Sequence, residues 1–240
     1  MPEYFDGLQR PAHPIIQGSF LIQQGSIQKS GGMGRMIEEI LELEWEMFQK
    51  TQNIGGRASC QDDKRTFYLM RESQWKVMSQ AVLKQYYADL CEAKNQGRNM
   101  VAEKYGYMME NYDPQGFAAI QDLLPSKSER ETDLVEQIIG IHMGWYEEVE
   151  KQIPNIMSGG RPLRSSQDKM GDVSIETYLR GELKTYSETS LEAFLLFLGE
   201  CKKQERNLVR ENYQEMARAY GYESLWEAEK RMGEKRGARS

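Results

Sequence analysis

Two copies of one segment most constrain what this chain can fold into. Residues 79–112 align without a gap with residues 187–220, and more than a third of the 34 paired positions are identical. The separation of the copies, 108 positions, is much longer than the periods of about 20–50 residues found in solenoid repeats. We therefore predict a single internal duplication. Its two halves would pack about a pseudo-twofold axis, with equivalent surfaces facing each other.

Both copies, and most of the remaining chain, have the apolar spacing of α-helices. After Arg35, one helical face is formed by Ile37, Ile40, Leu41, Glu44, Trp45 and Phe48. Further helices are predicted to start near Phe67, Ser79, Asn99, Thr132, Ser174, Ser190, Asn207 and Ser224. Strand-like alternation is absent, so we predict an all-α fold. The duplicated domain covers residues 35–232, with halves of about 35–125 and 130–222.

The two ends of the chain do not share the helical pattern. Residues 1–34 combine proline, glycine and glutamine without a helical period. They are interpreted as a flexible N-terminal arm, with an upstream extension or a tag as the alternatives. Residues 233–240 are predicted to form a basic tail.

Composition excludes several classes of protein. The net charge is −6, and the charges are interspersed without the basic stripe that binding to a nucleic-acid backbone requires. No apolar run reaches the length of a membrane span. Three cysteines without a CxxC pair favour a reducing cytoplasm. Two histidines, and no pair of Glu-x-x-His motifs, predict neither a metal nor another cofactor.

Two polar, glycine-rich loops are the strongest candidates for a site. Residues 53–63 contain Gly-Gly-Arg followed by serine, glutamine and aspartate, and residues 159–168 repeat these with a two-residue insertion. The paired candidates for ligand binding are Arg57 and Arg161, Ser59 and Ser165, Gln61 and Gln167, and Asp62 and Asp168. Because arginine offers a planar fork for carboxylate or phosphate, we predict a pocket for a small anionic or polar metabolite. In the alternative, each arginine pairs within its own loop, and each serine caps the following helix.

The two lead helices carry polar residues on their apolar faces. Aligning their apolar positions at an offset of 98 pairs Glu44 with His142, and both are then candidates for acid–base chemistry. An offset of 100 pairs Trp45 with Trp145 instead and removes this relation. A hydrogen-bonded core glutamate and core histidine are the alternative.

Two arginines and one cysteine complete the candidates. Arg71 and Arg180 follow similar aromatic–aliphatic stretches, and each needs a carboxylate or a ligand as partner because it lies on a partly apolar face. Cys60 with His142 would be a nucleophile and its base. The counterpart of Cys60 in the second loop is Ser166, which favours an incidental thiol.

At these residues the chain resembles a bacterial domain-of-unknown-function family, number four-one-two-five. The resemblance covers about residues 36–232, and its most specific part is the string of residues 53–63; the other matching stretches are residues 44–48, 97–99 and 178–183. It implies a self-contained helical unit and brings no assigned activity. Some similar domains occur with a nucleotidyltransferase-like domain, which this chain lacks.

Two functions remain open at this point. In the first, the protein binds a small anionic or polar metabolite between its halves, with Glu44 and His142 handling protons. In the second, the helical surface is an interaction module for a protein partner such as a nucleotidyltransferase-like domain, and the polar loops only hold the fold together.

Overall fold

The computed structural model of the chain describes residues 31–52 and 56–238. The expectations for residues 1–30 of the N-terminal arm, for the start of the first polar loop at residues 53–55 and for the last two residues lie outside these ranges. Residues 32–34, predicted to belong to the arm, are instead part of the first helix. Within them the chain is helical and has no β-strand. The helices are α1 (Gly32–Lys50), α2 (Lys64–Lys76), α3 (Gln80–Asn95), α4 (Met100–Tyr112), α5 (Pro114–Ile120), α6 (Glu129–Gln152), α7 (Pro154–Met157), α8 (Ile175–Leu183), α9 (Glu188–Lys203), α10 (Leu208–Ala219) and α11 (Leu225–Gly237).

Polar side chains at the helix starts explain most of these boundaries. The side chains that accept a backbone N–H of the first helical turn are those of Asp63, Ser79, Asn99, Asp113, Ser128, Ser174, Ser187, Asn207 and Ser224. Four predicted boundaries were wrong. α2 begins at Lys64 rather than near Phe67. α6 begins at Glu129 rather than near Thr132, α9 begins after Ser187 rather than at Ser190, and α11 continues past Met232 to Gly237.

The long helices pack in two comparable groups, each around one long helix. α1 packs against α2, α3 and α4, and α6 packs against α8, α9 and α10. α3 and α9 contact each other. Across the groups, α4 packs against α8 and α2 packs against α10. The two groups therefore contact each other through three pairs of helices, and helices of both groups bound the space between them.

The caps of α4 and α10 contact corresponding places on the lead helices. The Nδ2 amide of Asn99 donates to the carbonyl oxygen of Met47 at 2.8 Å, and that of Asn207 donates to Trp145 at 3.4 Å. The two acceptors are 98 positions apart. This contact favours the register of 98 over that of 100.

The closest approach of two helices in this region is between α4 and α8, at Gly181. A Cβ atom at this position would lie 2.5 Å from Cγ of Met108 and 2.8 Å from the carbonyl oxygen of Lys104. Glycine is needed because no side chain fits there. The contact brings Lys104 of α4 against the next residue of α8, Glu182.

Among the helices of the described residues, none is both long and apolar enough to cross a membrane.

Candidate functional site

A cavity of about 550 Å³ lies between the two groups of helices. It falls within the range of about 300–1,000 Å³ that is usual for small-molecule sites. Much of its wall is apolar, formed by side chains such as Phe67, Met70, Leu179, Phe194 and Met216. Its polar side chains are concentrated in a few clusters on α1, α2, α4, α6, α8 and α10.

The first cluster, here the ionic cluster, consists of Glu44, Arg71, Lys104 and Glu182. Arg71 forms two hydrogen bonds with Glu44, one of them from Nε to Oε2 at 2.9 Å, and a third from Nη1 to Oε1 of Glu182 at 3.0 Å. Nζ of Lys104 lies 2.6 Å from Oε2 of Glu182. Two cations and two carboxylates thus neutralise one another on the cavity wall.

Uncharged donors satisfy the remaining lone pairs of the two carboxylates. Trp75 and Tyr86 donate to Glu44, with distances of 3.4 Å from Nε1 and 2.8 Å from the hydroxyl. Tyr186 and Gln74 each donate to Oε1 of Glu182 at 3.2 Å. Buried charges are tolerated only when they are paired and hydrogen-bonded, and both carboxylates meet this condition.

The electrostatics keep Arg71 and Glu182 charged at neutral pH. Burial tends to lower the pKa of Arg71, but Glu182 and Glu44 outweigh it and raise that pKa well above its ordinary value. Burial likewise tends to raise the pKa of Glu182, but Arg71 and Lys104 hold it far below its ordinary value. Burial and the charge of Glu44 raise the pKa of Tyr86, which therefore remains a phenol that donates.

Tyr178 lies beside this cluster and between two cations. Its ring centroid is 3.5 Å from Nζ of Lys104 and 5.2 Å from Cζ of Arg161. Burial acts to raise the pKa of Tyr178, but Lys104 and Arg71 outweigh burial and Glu182, so the pKa lies below its ordinary value. Tyr178 is accordingly the phenol of this wall that loses its proton most readily.

His142 occupies a less polar part of the same cavity. Its Nδ1–H donates to the carbonyl oxygen of Ile138, one helical turn earlier on α6, at 3.2 Å. The rings of Trp145 and Phe194 lie 5.6 Å and 5.4 Å from its ring centroid. Burial lowers the pKa of His142 to about 4, so the ring is neutral at neutral pH.

The first polar loop turns most of its side chains away from the cavity. Arg57 pairs with Asp62 at 2.8 Å and donates to the carbonyl oxygen of Gln61 at 2.8 Å. The buried Gln61 side chain donates to the carbonyl oxygens of Phe48 and Thr51 at the end of α1. Ser59 lines the cavity, with Cys60 next to it, but Arg57, Gln61 and Asp62 do not.

The second polar loop contributes Arg161 alone to the cavity wall. Arg161 donates to the carbonyl oxygen of Val173 at 2.9 Å, and the expected pair with Asp168 is not formed. Asp168 instead accepts from the backbone of Ser174 and from the hydroxyl of Thr177. Of its two remaining candidates, Ser165 donates its backbone N–H to Glu176, and Gln167 accepts from the backbone of Arg164.

Two further expectations are changed by the structure. α2 and α8 are capped by Asp63 and Ser174, so the idea that Ser59 and Ser165 cap these helices was wrong. The reason is that short 3-10 turns separate both serines from the helices. Arg180 is not equivalent to Arg71, because it lies outside the cavity and pairs with Glu136 and Glu176.

Cys60 and His142 both line the cavity, and so do Glu44 and Arg71. Desolvation by partial burial raises the pKa of the Cys60 thiol, which disfavours the thiolate that a nucleophile requires. Of the two candidates for proton transfer, Glu44 is held by Arg71 and two uncharged donors. Only His142 has no ionic partner among the described residues.

Sequence reasoning missed Lys104, Tyr178, Glu182 and Asn212 as cavity residues. A signal existed for two of them, since Lys104 and Asn212 correspond at the sequence offset of 108 and each interrupts an apolar helical face. Glu182 and Tyr178 belong to one of the stretches that carry the family resemblance. In the described part of the chain, no three His, Cys, Asp or Glu side chains are grouped as metal ligands would be.

Comparison with known proteins confirms the resemblance noted in the sequence. The family described as "Protein of unknown function (DUF4125)" matches residues 34–230. No curated protein and no solved structure matches the chain significantly.

Proposed function

The chain belongs to the DUF4125 family, and on that premise we propose that it binds a small molecule with an apolar body and a polar group in the cavity between its helix groups. The observation that carries this proposal is the cavity itself. It has about 550 Å³ of space, and its wall combines apolar side chains with the buried ionic cluster. Pockets of this size with a few converging polar groups are the usual form of a small-molecule site.

The charges favour a polar ligand over an anionic one. Arg71 and Lys104, the cations of the ionic cluster, are already neutralised by Glu44 and Glu182. An anion would have to compete with both carboxylates at a buried position, which is unfavourable. Arg161 is a further cation on the wall, at the ring of Tyr178.

We also propose that the fold arose by duplication, with a pseudo-twofold axis through the cavity. Three relations support this. The packing of α4 on α8 corresponds to that of α2 on α10, the caps Asn99 and Asn207 contact corresponding carbonyl groups, and the repeat in sequence has no gap. The free thiols of Cys60, Cys91 and Cys201 support a reducing compartment such as the cytoplasm.

The interaction-module function is the second candidate, and a surface groove favours it. The groove lies between α2, α10 and α11 and has a volume of about 550 Å³. It is lined by four cations, Lys76, Arg206, Arg210 and Arg218, and by two carboxylates, Glu211 and Glu215, which pair with Arg206 and Arg218. It is bordered by Trp226, whose surface is 54% exposed. Exposed tryptophan and arginine are the residue types that contribute most at protein interfaces. A partner for this groove would be a protein with an acidic surface.

A thermal-shift screen against a metabolite library tests the principal proposal. A bound ligand should raise the melting temperature by at least about 2 °C, which corresponds to roughly 0.5–1 kcal/mol for a chain of this size. The variant Leu179→Trp, which fills the cavity, should abolish the shift. Leu196→Trp is the matched control, because Leu196 is 69% exposed.

The outcomes separate the two functions. A shift that persists in Leu179→Trp would place the ligand outside the cavity and refute the proposal. If no library compound shifts the melting temperature, and the double charge reversal Arg210→Glu with Arg218→Glu abolishes capture of an acidic partner, the interaction module is the better function.

A further inference from the structure

Two sets of cavity residues occupy corresponding positions of the internal repeat, but their chemistry differs. Residues at the offset of 108 that relates Ser79 to Ser187 line the same cavity. The corresponding pairs are Lys104 and Asn212, Gln74 and Glu182, Tyr86 and Phe194, and, at the lead-helix offset of 98, Glu44 and His142. In each pair one member belongs to the ionic cluster or donates to it, and these members are here called the ionic end. Their counterparts are neutral, and the wall residues His142, Phe194 and Asn212 among them are here called the neutral end.

Corresponding backbone contacts support this pairing. The N–H of Met78 donates to the carbonyl oxygen of Trp75 at 3.2 Å, and the N–H of Tyr186 donates to that of Leu183 at 3.1 Å. The donors of these turns are 108 positions apart, and so are the acceptors. The offset therefore holds in the turn that follows Gln74 and Glu182.

The pairing shows which contact the neutral end lacks. At the ionic end, Lys104 donates to Glu182 at 2.6 Å. The corresponding contact would join Asn212 to Gln74. Gln74 instead donates to Glu182 at 3.2 Å and accepts from Arg71 at 2.7 Å, so its amide belongs to the ionic cluster.

Asn212 is consequently left with an unsatisfied group. Its Oδ1 is buried and has no hydrogen-bond partner among the described residues, although the residue lines the cavity. A buried polar group without a partner destabilises a fold, and native proteins rarely contain one without a reason.

His142 adds a second acceptor at this end. Because Nδ1–H donates to Ile138 and a neutral imidazole has one donor and one acceptor, Nε2 is the acceptor. The donors that surround Glu44 at the ionic end have apolar counterparts here, since Tyr86 corresponds to Phe194 and Trp75 to Leu183.

We propose that the neutral end of the cavity, around His142 and Asn212, is a recognition subsite for an uncharged molecule with an apolar body and a hydroxyl group. The inference rests on the proposed binding function and specifies its ligand class. A hydroxyl donates to an imidazole nitrogen or an amide oxygen and also accepts from an amide, so it satisfies the Asn212 amide in either orientation. Phe194, Leu179 and Met216 surround the apolar body.

A matched set of small probes tests this subsite. The affinities of 4-propylphenol, 4-propylanisole and 4-propylbenzoate are measured by isothermal titration calorimetry with the full chain. The phenol is expected to bind about 10-fold more tightly than the anisole, because the methyl ether has no proton to donate to the buried acceptor. The benzoate is expected to bind more weakly than the phenol, since it introduces a charge without a counter-ion.

Two variants test whether Asn212 causes the preference for the phenol over the anisole. Asn212→Leu should reduce the preference for the phenol to about 2-fold or less, because the unsatisfied acceptor is gone. Asn95→Leu is the matched control, since Asn95 is exposed at the end of α3, and should retain the preference. If Asn212→Leu does not fold, His142→Phe carries the same test, because it removes the second acceptor.

The possible results have distinct meanings. Equal binding of phenol and anisole, tighter binding of the benzoate, or an unchanged preference in Asn212→Leu would overturn the subsite while leaving a binding cavity in place. If none of the three probes binds and the metabolite library also gives no thermal shift, the proposed function fails together with the subsite.

Discussion

Replacement of two ionic-cluster residues by the neutral residues found at the corresponding positions of the repeat tests the site. The perturbation combines Glu182→Gln with Lys104→Asn, which reproduces at the ionic end the glutamine and asparagine of positions 74 and 212. Each single variant leaves one net charge in the cluster. The double variant is neutral again, because Arg71 and Glu44 still balance each other.

The structure sets the magnitude. The side chains of Glu182 and Lys104 are only 7% and 9% exposed, and 2.6 Å separates their charged atoms. Removal of one partner from a buried pair costs about 3–5 kcal/mol, since the other charge remains buried without compensation. Each single variant should therefore lose about that much free energy of unfolding. The double variant should lose about 2–4 kcal/mol less than the sum of the two, as found for close charged pairs.

Urea unfolding at neutral pH, followed by far-UV circular dichroism, measures these differences as shifts of the urea concentration at the midpoint, with an unchanged m-value. A control cycle uses Arg130 and Glu192, whose side chains are 58% and 49% exposed. Its variants should leave the midpoint unchanged, since exposed pairs contribute little.

Additivity of the two buried substitutions within about 0.5 kcal/mol would refute the reasoning, because independent sites behave in that way. The same conclusion would follow if the single variants were as stable as the wild type. Either result would mean that Lys104 and Glu182 are hydrated in solution rather than buried together on the cavity wall.

Three further predictions follow from individual contacts. The pKa of His142 is about 4 in the fold and 6.5 in the unfolded chain, so the contribution of the neutral ring to stability is complete above pH 6.5. This contribution, about 3 kcal/mol, is lost as the pH falls towards 4. An NMR titration that compares wild type with His142→Gln should show the low pKa of this ring. Gly181→Ala should cost about 1–3 kcal/mol in urea unfolding because its Cβ would overlap α4, whereas Gly199→Ala, with nothing within 4 Å, should be neutral or stabilising. Gln61→Leu should lower the melting temperature clearly, since the carbonyl groups of Phe48 and Thr51 at the end of α1 each lose a hydrogen bond from the buried amide. Arg57→Ala should change the melting temperature little because its salt bridge is exposed, and the reverse order would contradict this account of the loop.

The sequence determined the helices of this protein. Helix starts such as those after Ser79, Asn99 and Asn207 depend on hydrogen bonds between near neighbours, so a local reading finds them. Apolar spacing likewise depends only on the helical period. The repeat with its offset of 108 needs no structure at all. The burial of Glu44 and His142 was predicted correctly from the apolar spacing of their helices.

Only the tertiary structure decided which polar residues meet. Arg71 is 27 positions from Glu44 and 111 positions from Glu182, and Lys104 is 78 positions from Glu182. No local pattern relates such distant residues, because the contact between α4 and α8 depends on how one half packs on the other. The sequence made the polar loops the strongest candidates for a site, but Arg57 forms a salt bridge with Asp62 of its own loop, and both side chains are exposed to water.

The difference between the ends of the cavity also belongs to the tertiary structure. The sequence pairs Lys104 with Asn212 but cannot show that Gln74 has turned toward Arg71 and Glu182, leaving Asn212 without a partner. Sequence patterns show which residues are polar and which face they share. Whether a polar group is satisfied depends on donors and acceptors from the whole fold, and these are assigned only when the helices pack.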